Sequence, residues 1–238
     1  MRMDWIKINK IVDESSDIKT FYLDMPEDFT WEEGAHTHMA LKGFNEGEKP
    51  NRALIRHMSI STLPKEGKIG ITTRIKELCS EFKSALRSLE VGDEVALFKT
   101  NSNVPLKREG KNVYLLSAGV GLATFRPLVL DYLDNPEGIN HMHSLNIDTS
   151  KEFIFTDLFT PNVSKHFTTE FVGHRGEYYA MIKRLANDQD GLFYIVGSDE
   201  FIKENIKVLK EQGISTNQML LDKRQGQLAE FFPEQHIA

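Results

Sequence analysis

Residues 113–127, VYLLSAGVGLATFRP, place an apolar run, a glycine-rich turn and the start of a predicted helix next to one another. The apolar run predicts a strand that is buried on both faces, as in a parallel sheet. Gly119 and Gly121 let the backbone approach a ligand closely, and the free amides of a helix start attract a pyrophosphate. A Gly-x-Gly turn also forms where a strand and a helix simply pack tightly, so this segment alone leaves both interpretations open.

Beyond this segment, apolar strands and helices alternate towards the carboxyl end of the chain. Strands are predicted at 153–155, 192–196 and 219–221, and helices at 124–133, 176–186 and 199–212. Residues 134–151 lack a strong periodic pattern and are predicted to be a surface excursion. The alternation predicts a mainly parallel α/β sheet covered by helices.

Before this segment, the chain is a series of short strands separated by polar, glycine or proline residues. They are predicted at 5–12, 19–25, 37–42, 69–75 and 93–99, with one helix beginning after Ser80. The series predicts a small antiparallel β-barrel or β-sandwich. The pattern changes across the polar residues 100–111, so we predict two domains, residues 1–107 and residues 108–238.

The composition narrows the class of protein. The formal net charge of −6 argues against a nucleic-acid binder. The single cysteine, Cys79, excludes an intrachain disulfide and an iron–sulfur cluster held by this chain's thiolates alone. No apolar run is long enough to cross a bilayer, and charged residues interrupt the opening MRMDWIKI, unlike a signal peptide. We therefore expect a cytoplasmic protein.

Two further segments combine strand patterns with residues that bind phosphates or leave space for a ring. Residues 56–64, RHMSISTLP, begin with Arg56, whose guanidinium suits a phosphate, and Ser59 is predicted to face the other side of the strand. Residues 194–201, YIVGSDEF, end a strand at Gly197, which leaves room for a planar ring at the carboxyl end of a parallel sheet. A surface arginine and an ordinary capped helix start are the alternative interpretations.

In this order, the segments resemble the ferredoxin–NADP reductase family, including its small bacterial flavodoxin and ferredoxin reductases. The resemblance extends from Trp5 to Asp222 and implies a flavin-binding barrel followed by a nicotinamide-binding α/β domain. The family's flavin signature Arg-x-Tyr-Ser is matched by RHMS at residues 56–59. By this likeness Arg56 holds a flavin phosphate, and Ser59, the residue assigned a catalytic role, hydrogen-bonds near the reactive edge of the ring.

The resemblance also implies the remaining cofactor-binding residues. SEFKSAL at residues 80–86 resembles the family's second flavin-phosphate element, GVGLAT at residues 119–124 its Gly-x-Gly-x-x-Pro segment, and VGS at residues 196–198 its Cys-Gly-Pro segment. The residues implied in binding flavin are Arg56, His57, Met58, Ser59, Thr62, Ser80, Phe82 and Lys83, and those implied in binding the nicotinamide nucleotide are Gly119, Gly121, Thr124, Gly197 and Ser198.

The implied reaction is electron transfer from NAD(P)H through bound FAD to an acceptor. FAD is expected rather than FMN because the barrel arginine and the helix-start element both suit a dinucleotide diphosphate. The acceptor is expected to be a ferredoxin- or flavodoxin-like protein or a small oxidant, and the choice between NADH and NADPH stays open. No metal site is expected, because His36 and His38 share a predicted strand face without a set of ligands to complete one.

The sequence departs from the family pattern at Met58, Val196 and Ser198, where an aromatic residue, a cysteine and a proline are usual. Thr124 also replaces a proline, and residues 99–103 replace a glycine-proline loop. Hydride transfer needs an oriented, dry contact between two rings rather than a protein acid or base. We therefore favour an active reductase, with a non-catalytic flavin- or nucleotide-binding subunit of an electron-transfer complex as the alternative.

Overall fold

Two β-sheets organise the chain in the computed structural model, which describes residues 3–233. The amino-terminal sheet is antiparallel and contains β1 (Asp4–Asp13), β2 (Ile18–Leu23), β3 (Ala35–Ala40), β4 (Ile55–Ser59), β5 (Ile69–Arg74) and β6 (Glu94–Ser102), in the order β4-β3-β6-β1-β2-β5. A bridge between Ile60 and Ile71 brings the end of β4 to β5 and curls the sheet into the predicted barrel. Residues 1–2 and 234–238, the outer ends of the two predicted domains, lie outside the described residues.

The carboxyl-terminal sheet is parallel, as predicted, and helices cover it. Its strands are β7 (Lys111–Ala118), β8 (Ile139–Ile147), β9 (Phe167–Val172), β10 (Leu192–Val196) and β11 (Met219–Leu221), in the order β11-β10-β7-β8-β9. The α-helices of residues 3–233 are α1 (Glu81–Arg87), beside the barrel strands, and α2 (Leu122–Asp134), α3 (Thr156–Phe159), α4 (Arg175–Leu185) and α5 (Asp199–Glu211). The strand order changes direction between β7 and β10, where sheets of this kind bind ligands at their carboxyl ends.

Buried apolar side chains hold the helices to the sheets and the two sheets to each other. Phe82 of α1 is fully buried in the barrel core. On the parallel sheet, Phe125 of α2 and Tyr178 of α4 belong to separate clusters, which take alternate residues of β7 and β10 and therefore lie on opposite faces. Ile18 and Val104 join the α2 cluster from the barrel side. Since burying each such side chain contributes about 1.5–3 kcal/mol, this packing fixes the barrel against the α/β sheet.

The strand beside β7 differs from the prediction. β8 lies in the region predicted as a surface excursion, whereas residues 153–155, predicted as a strand, lead into α3, with Phe155 at a left-handed φ of 58°. The prediction was wrong because β8 carries polar side chains into the interior. Ser144 and Asn146 are buried, and Asn146 Nδ2 donates a hydrogen bond to Ser117 Oγ at 2.9 Å. Such a strand lacks the apolar run by which the others were recognised, and β9 was not predicted either.

Residues 103–110 connect the two sheets, and the proposed domain boundary between residues 107 and 108 lies within them. Polar contacts cross the interface beside this connection. Arg126 of α2 donates to both carboxylate oxygens of Glu66, at 2.9 and 2.8 Å. Ser16 Oγ donates to Glu152 Oε2 at 2.6 Å. These contacts hold the carboxyl ends of β7 and β10 close to β4.

In the described part of the chain, no helix has the length and apolar character to cross a membrane.

Candidate functional site

A cavity of about 370 Å³ lies between β4, β5 and the carboxyl ends of β7 and β10. We call it the central cavity. Of the predicted site residues it brings together Arg56, His57, Met58, Ser59, Lys83, Gly121, Thr124, Gly197 and Ser198. Both sheets contribute to its walls, so the cavity exists only because the barrel and the α/β sheet are held in one orientation.

A hydrogen bond joins the two sheets inside the central cavity. Thr124 Oγ1 donates to Ser59 Oγ at 2.9 Å, which links the start of α2 to the end of β4. Thr124 is buried and Ser59 half-buried, so this contact is largely shielded from water. The threonine at a position where the family has proline therefore supplies a hydroxyl that orients Ser59.

Two cations face the same cavity without a carboxylate between them. Burial, together with the charge of Arg56, lowers the pKa of Lys83 to about 8. Lys83 Nζ donates to Thr73 Oγ1, and the Arg56 guanidinium lies 5.7 Å from the centre of the Phe82 ring. None of the described residues that line the central cavity is acidic. Because half-buried cations are stabilised by an anion, this donor set fits a phosphate group.

Four predicted residues lie outside the lining of the central cavity. Thr62 Oγ1 donates to the Lys68 carbonyl at 2.9 Å and accepts from the Gly70 amide at 2.8 Å, which holds a turn of the barrel. Phe82 lies in the barrel core, and Ser80 Oγ caps α1 by accepting from the Lys83 amide at 3.4 Å. The fourth residue, Gly119, lines a neighbouring groove. The roles of all four in cofactor binding stay predictions.

The predicted glycines keep the strand ends close together. Gly119 has a positive φ of 51°, which side chains rarely adopt. A Cβ at Gly121 would lie 3.0 Å from the Val196 carbonyl, and a Cβ at Gly197 would lie 2.5 Å from the Phe201 ring. These glycines therefore let the turn after β7 approach the end of β10, which shapes the floor of the cavity.

A second cavity of about 480 Å³ runs along the carboxyl ends of β7 and β8 and the starts of α4 and α5. We call it the strand-end groove. Arg74 reaches into it from the barrel, with Nη2 at 2.7 Å from Asp148 Oδ2 and Nε at 3.0 Å from Asp17 Oδ1. Burial raises the pKa of Asp148, but hydrogen bonds from Ser150 and Arg74 outweigh it, so the pKa is lowered. Asp148 is therefore an ionised carboxylate at neutral pH.

A third cavity of about 400 Å³ lies against the outer face of β3 and β4 and the segment after β11. We call it the histidine cavity; its lining is His36, His57, Ser59, Asn103, Asp222, Lys223, Arg224 and Gln227. The His57 ring lies 5.7 Å from the His36 ring and 3.9 Å from the His38 ring, centre to centre. Arg224 Nη2 also contacts the His57 ring.

The central cavity adjoins both of the others. It shares His57 and Ser59 with the histidine cavity, and Ala118, Val120 and Ser198 with the strand-end groove. The histidine cavity and the strand-end groove share no lining residue within the described chain. The three cavities therefore follow one another in the order strand-end groove, central cavity, histidine cavity.

Comparisons with known proteins rest on structure, because no family model and no curated protein matches the sequence. A ferredoxin NADP+ reductase from Neisseria gonorrhoeae with bound FAD and NADP superposes with a TM-score of 0.79 at 16% identity, covering 93% of this chain and 98% of that one. The cytochrome b5 reductase domain of Ulva prolifera nitrate reductase gives 0.72 at 16% identity, covering 92% and 97%. The CS-b5R domains of human Ncb5or, in an NAD+ form, give 0.77 at 17%, covering 93% and 70%.

The chain has the ferredoxin–NADP reductase fold. The predicted Arg-x-x-Ser segment and the Gly-x-Gly turn meet in the central cavity. Sequence reasoning missed Arg74 and Asp148. An acidic residue directly after the strand that follows the Gly-x-Gly unit would have been the signal for Asp148, but that strand, β8, was itself missed. Arg74 gave no signal, since only folding of the barrel against the sheet brings it to the groove.

Proposed function

We propose that the protein is an FAD-containing reductase that accepts hydride from NADH and passes electrons to a separate acceptor. The observation that supports this best is the central cavity, where Arg56 and Lys83 stand without an acidic neighbour beside Ser59 and the Gly119–Gly121 turn. The solved structures of the same fold include one with bound FAD and NADP. We also propose residues 1–107 and 108–238 as separate domains, and a cytoplasmic location.

Each group of residues has a distinct task in this proposal. Arg56 and Lys83 bind the diphosphate of the flavin through charge-assisted hydrogen bonds. Gly121 and Gly197 leave space for the nicotinamide half of the nucleotide at the ends of β7 and β10. When bound, the flavin supplies the ring that accepts hydride and releases single electrons. Both rings need a dry, fixed contact, which the two-sided cavity provides.

Ser59 has the role of a hydrogen-bonding residue at the reacting edge of the ring. Its Oγ already accepts from Thr124 Oγ1, so its own proton is free to point into the central cavity. Held in this position, the Ser59 hydroxyl would donate a hydrogen bond to the edge of a bound flavin ring without having to rearrange during the reaction. Thr124 thus positions Ser59.

The strand-end groove favours NADH over NADPH in this proposal. In dinucleotide-binding sheets, an acidic residue after the second strand accepts from the ribose 2′-hydroxyl, whereas an arginine accommodates a 2′-phosphate. Asp148 follows the second strand, β8, and its neighbour Arg74 is held by two carboxylates. The groove's other charges are the cations Lys76 and Arg175 and the anions Glu200 and Glu204. Because these charges balance, the 2′-phosphate of NADPH gains little attraction from the groove and is repelled by the Asp148 carboxylate.

The acceptor is proposed to be a separate molecule, either a ferredoxin- or flavodoxin-like protein or a small oxidant.

Retention of flavin tests the proposal first. Purified protein mixed with FAD and then desalted is expected to keep the flavin absorption, and the Lys83→Met variant is expected to lose it. Lys207→Met, which removes an exposed lysine of α5, is the matched control. Equal loss of flavin from all three proteins would contradict the proposal, and retention without reduction by NADH would favour the non-catalytic subunit.

A further inference from the structure

We propose that the histidine cavity binds a small anionic oxidant, which receives its electrons beside Ser59. The inference rests on the proposed function, because only a flavin in the central cavity supplies those electrons. It names what the acceptor is: a small molecule with negative charge, bound by Arg224 and the imidazoles of His36 and His57.

The order of the three cavities supports a separate acceptor side. The histidine cavity touches the central cavity at His57 and Ser59 and has no lining residue in common with the strand-end groove among residues 3–233. Nucleotide and oxidant therefore approach the flavin through different openings. A volume of about 400 Å³ lies in the range of small-molecule sites, whereas a protein acceptor needs an extended surface.

The polar groups around the histidine cavity are mainly donors. Arg224 and Lys223 bring positive charge, and Asn103 and Gln227 bring amides. Among residues 3–233, its lining holds a single acid, Asp222, whose Oδ1 accepts from Asn103 Nδ2 at 3.0 Å. Lys223 is already paired with Asp199 at 2.6 Å, which leaves Arg224 as the cation that points at the imidazoles. An anion entering here meets a cation and hydrogen-bond donors with little repulsion.

Burial first, and then neighbouring positive charges, keep the imidazoles of this cluster neutral. Burial, then the charges of His38 and Arg224, lowers the pKa of His57 to about 4, and burial lowers the pKa of His36 and of His38. The charged or titratable groups facing this cluster are His36 and His38 on β3, His57 on β4, Lys99 on β6, and Asp222, Lys223 and Arg224 after β11. An anion offsets the like charges, so its binding favours the protonated imidazoles.

Electrons balance with a one-electron oxidant such as ferricyanide. NADH and two ferricyanide ions give NAD⁺, one proton and two ferrocyanide ions, with the flavin returned to its starting state. The hydride of NADH supplies both electrons, and its proton leaves to solvent. No further reductant or oxidant is required.

The test compares oxidants of opposite charge on the FAD-loaded protein. With NADH as donor, Arg224→Gln is expected to lower kcat/KM for ferricyanide about tenfold and to change kcat/KM for the cation hexaammineruthenium(III) less than about twofold. Arg224→Lys is expected to restore most of the ferricyanide rate, and Lys207→Gln, an exposed lysine remote from the cavity, is expected to leave both rates unchanged.

A binding measurement separates this inference from the proposed function. Calorimetric titration of the oxidised, FAD-loaded protein with ferrocyanide is expected to show one site that Arg224→Gln weakens about tenfold. Anaerobic reduction of the flavin by NADH is expected to proceed equally in wild type and Arg224→Gln. If NADH reduces the flavin but Arg224→Gln changes neither ferrocyanide binding nor the preference between the two oxidants, the anion site is wrong and the proposed function stands. Failure of NADH to reduce the flavin would instead overturn the proposed function.

Discussion

The strand-end groove and the histidine cavity flank the same central cavity but treat charge in opposite ways. In the groove, Arg74 is paired with Asp17 and Asp148, so its positive charge is already matched. In the histidine cavity, Arg224 contacts an imidazole, and the only acid in the described lining accepts from an amide. Matched charges distinguish a hydroxyl from a phosphate on an otherwise identical ligand, whereas an unmatched cation admits anions as a class. Under the proposed function, the groove is therefore the selective entrance and the histidine cavity the permissive one.

The largest expected effect is on the central cavity, which both sides depend on. Arg56→Gln is expected to weaken FAD binding about 100-fold, because a charge-assisted hydrogen bond to phosphate contributes about 1.5–3 kcal/mol. Fluorescence titration of the apoprotein with FAD measures the change. Arg52→Gln, which removes an exposed arginine four residues earlier in the chain, is the control. Equal FAD affinity in wild type and Arg56→Gln would show that the flavin diphosphate does not bind at Arg56 in the central cavity.

Breaking the contact between the two sheets is expected to affect both sides together. Arg126→Met removes the two hydrogen bonds that the largely buried Glu66 carboxylate accepts from the guanidinium, while the Leu63 amide still donates to it at 2.7 Å. The free energy of unfolding is expected to fall by about 2 kcal/mol. Urea denaturation measures this value. Lys65→Met breaks the exposed Lys65–Asp134 pair across the same interface and is expected to cost less than about 0.5 kcal/mol. Similar losses for both variants would contradict the role given to Arg126.

The selective side is tested by Asp148→Asn, which keeps the shape and removes the charge. We expect KM for NADPH to fall and KM for NADH to rise, so that the ratio of kcat/KM values shifts about tenfold towards NADPH. Steady-state kinetics with both nucleotides and a fixed acceptor measure it. Arg74→Met is expected to weaken the binding of both NADH and NADPH. Glu177→Gln, which removes an exposed acid on α4, serves as the control. An unchanged ratio in Asp148→Asn would show that the groove does not select the nucleotide.

The two sides are also expected to differ in their dependence on pH. His57 has a pKa of about 4 in the folded protein against an ordinary 6.5, so the folded state binds fewer protons between these values. The free energy of unfolding therefore falls as pH drops from 6.5 to 4, and the buried His143, with a pKa of about 4, acts in the same direction. The lowered pKa of Asp148 contributes stability above pH 3.8, the ordinary pKa of an aspartate. That contribution is lost only as pH falls through the pKa of Asp148 in the folded protein.

Chemical denaturation between pH 7 and pH 4.5 tests this difference. His57→Gln is expected to flatten the decline in stability, because the variant has no group to protonate at that position. Asp148→Asn is expected to lower stability by a similar amount at each pH in this range. If the free energy of unfolding declines as steeply with falling pH in His57→Gln as in the wild type, His57 is not the group whose protonation destabilises the fold.

Periodicity predicted the barrel from short strands whose apolar residues alternate, such as β5, and the parallel sheet from the apolar runs of β7 and β10. It failed at β8, where the buried Ser144 and the buried, hydrogen-bonded Asn146 interrupt the apolar pattern and resemble a loop in sequence. The central cavity was largely predictable, since its residues lie in local strand–turn–helix segments. The flanking cavities were not. Register places His57 beside His38, and the closure of the barrel brings Arg74 to Asp148. Neither contact follows from local sequence.

The central claim is that NADH reduces flavin bound between the two sheets. The most direct test is an anaerobic titration of the FAD-loaded protein with NADH and, in parallel, with NADPH, followed by visible absorbance. We expect one equivalent of NADH to bleach the flavin and NADPH to do so more slowly. Flavin that stays oxidised with both nucleotides would contradict it and leave a non-catalytic flavin-binding subunit.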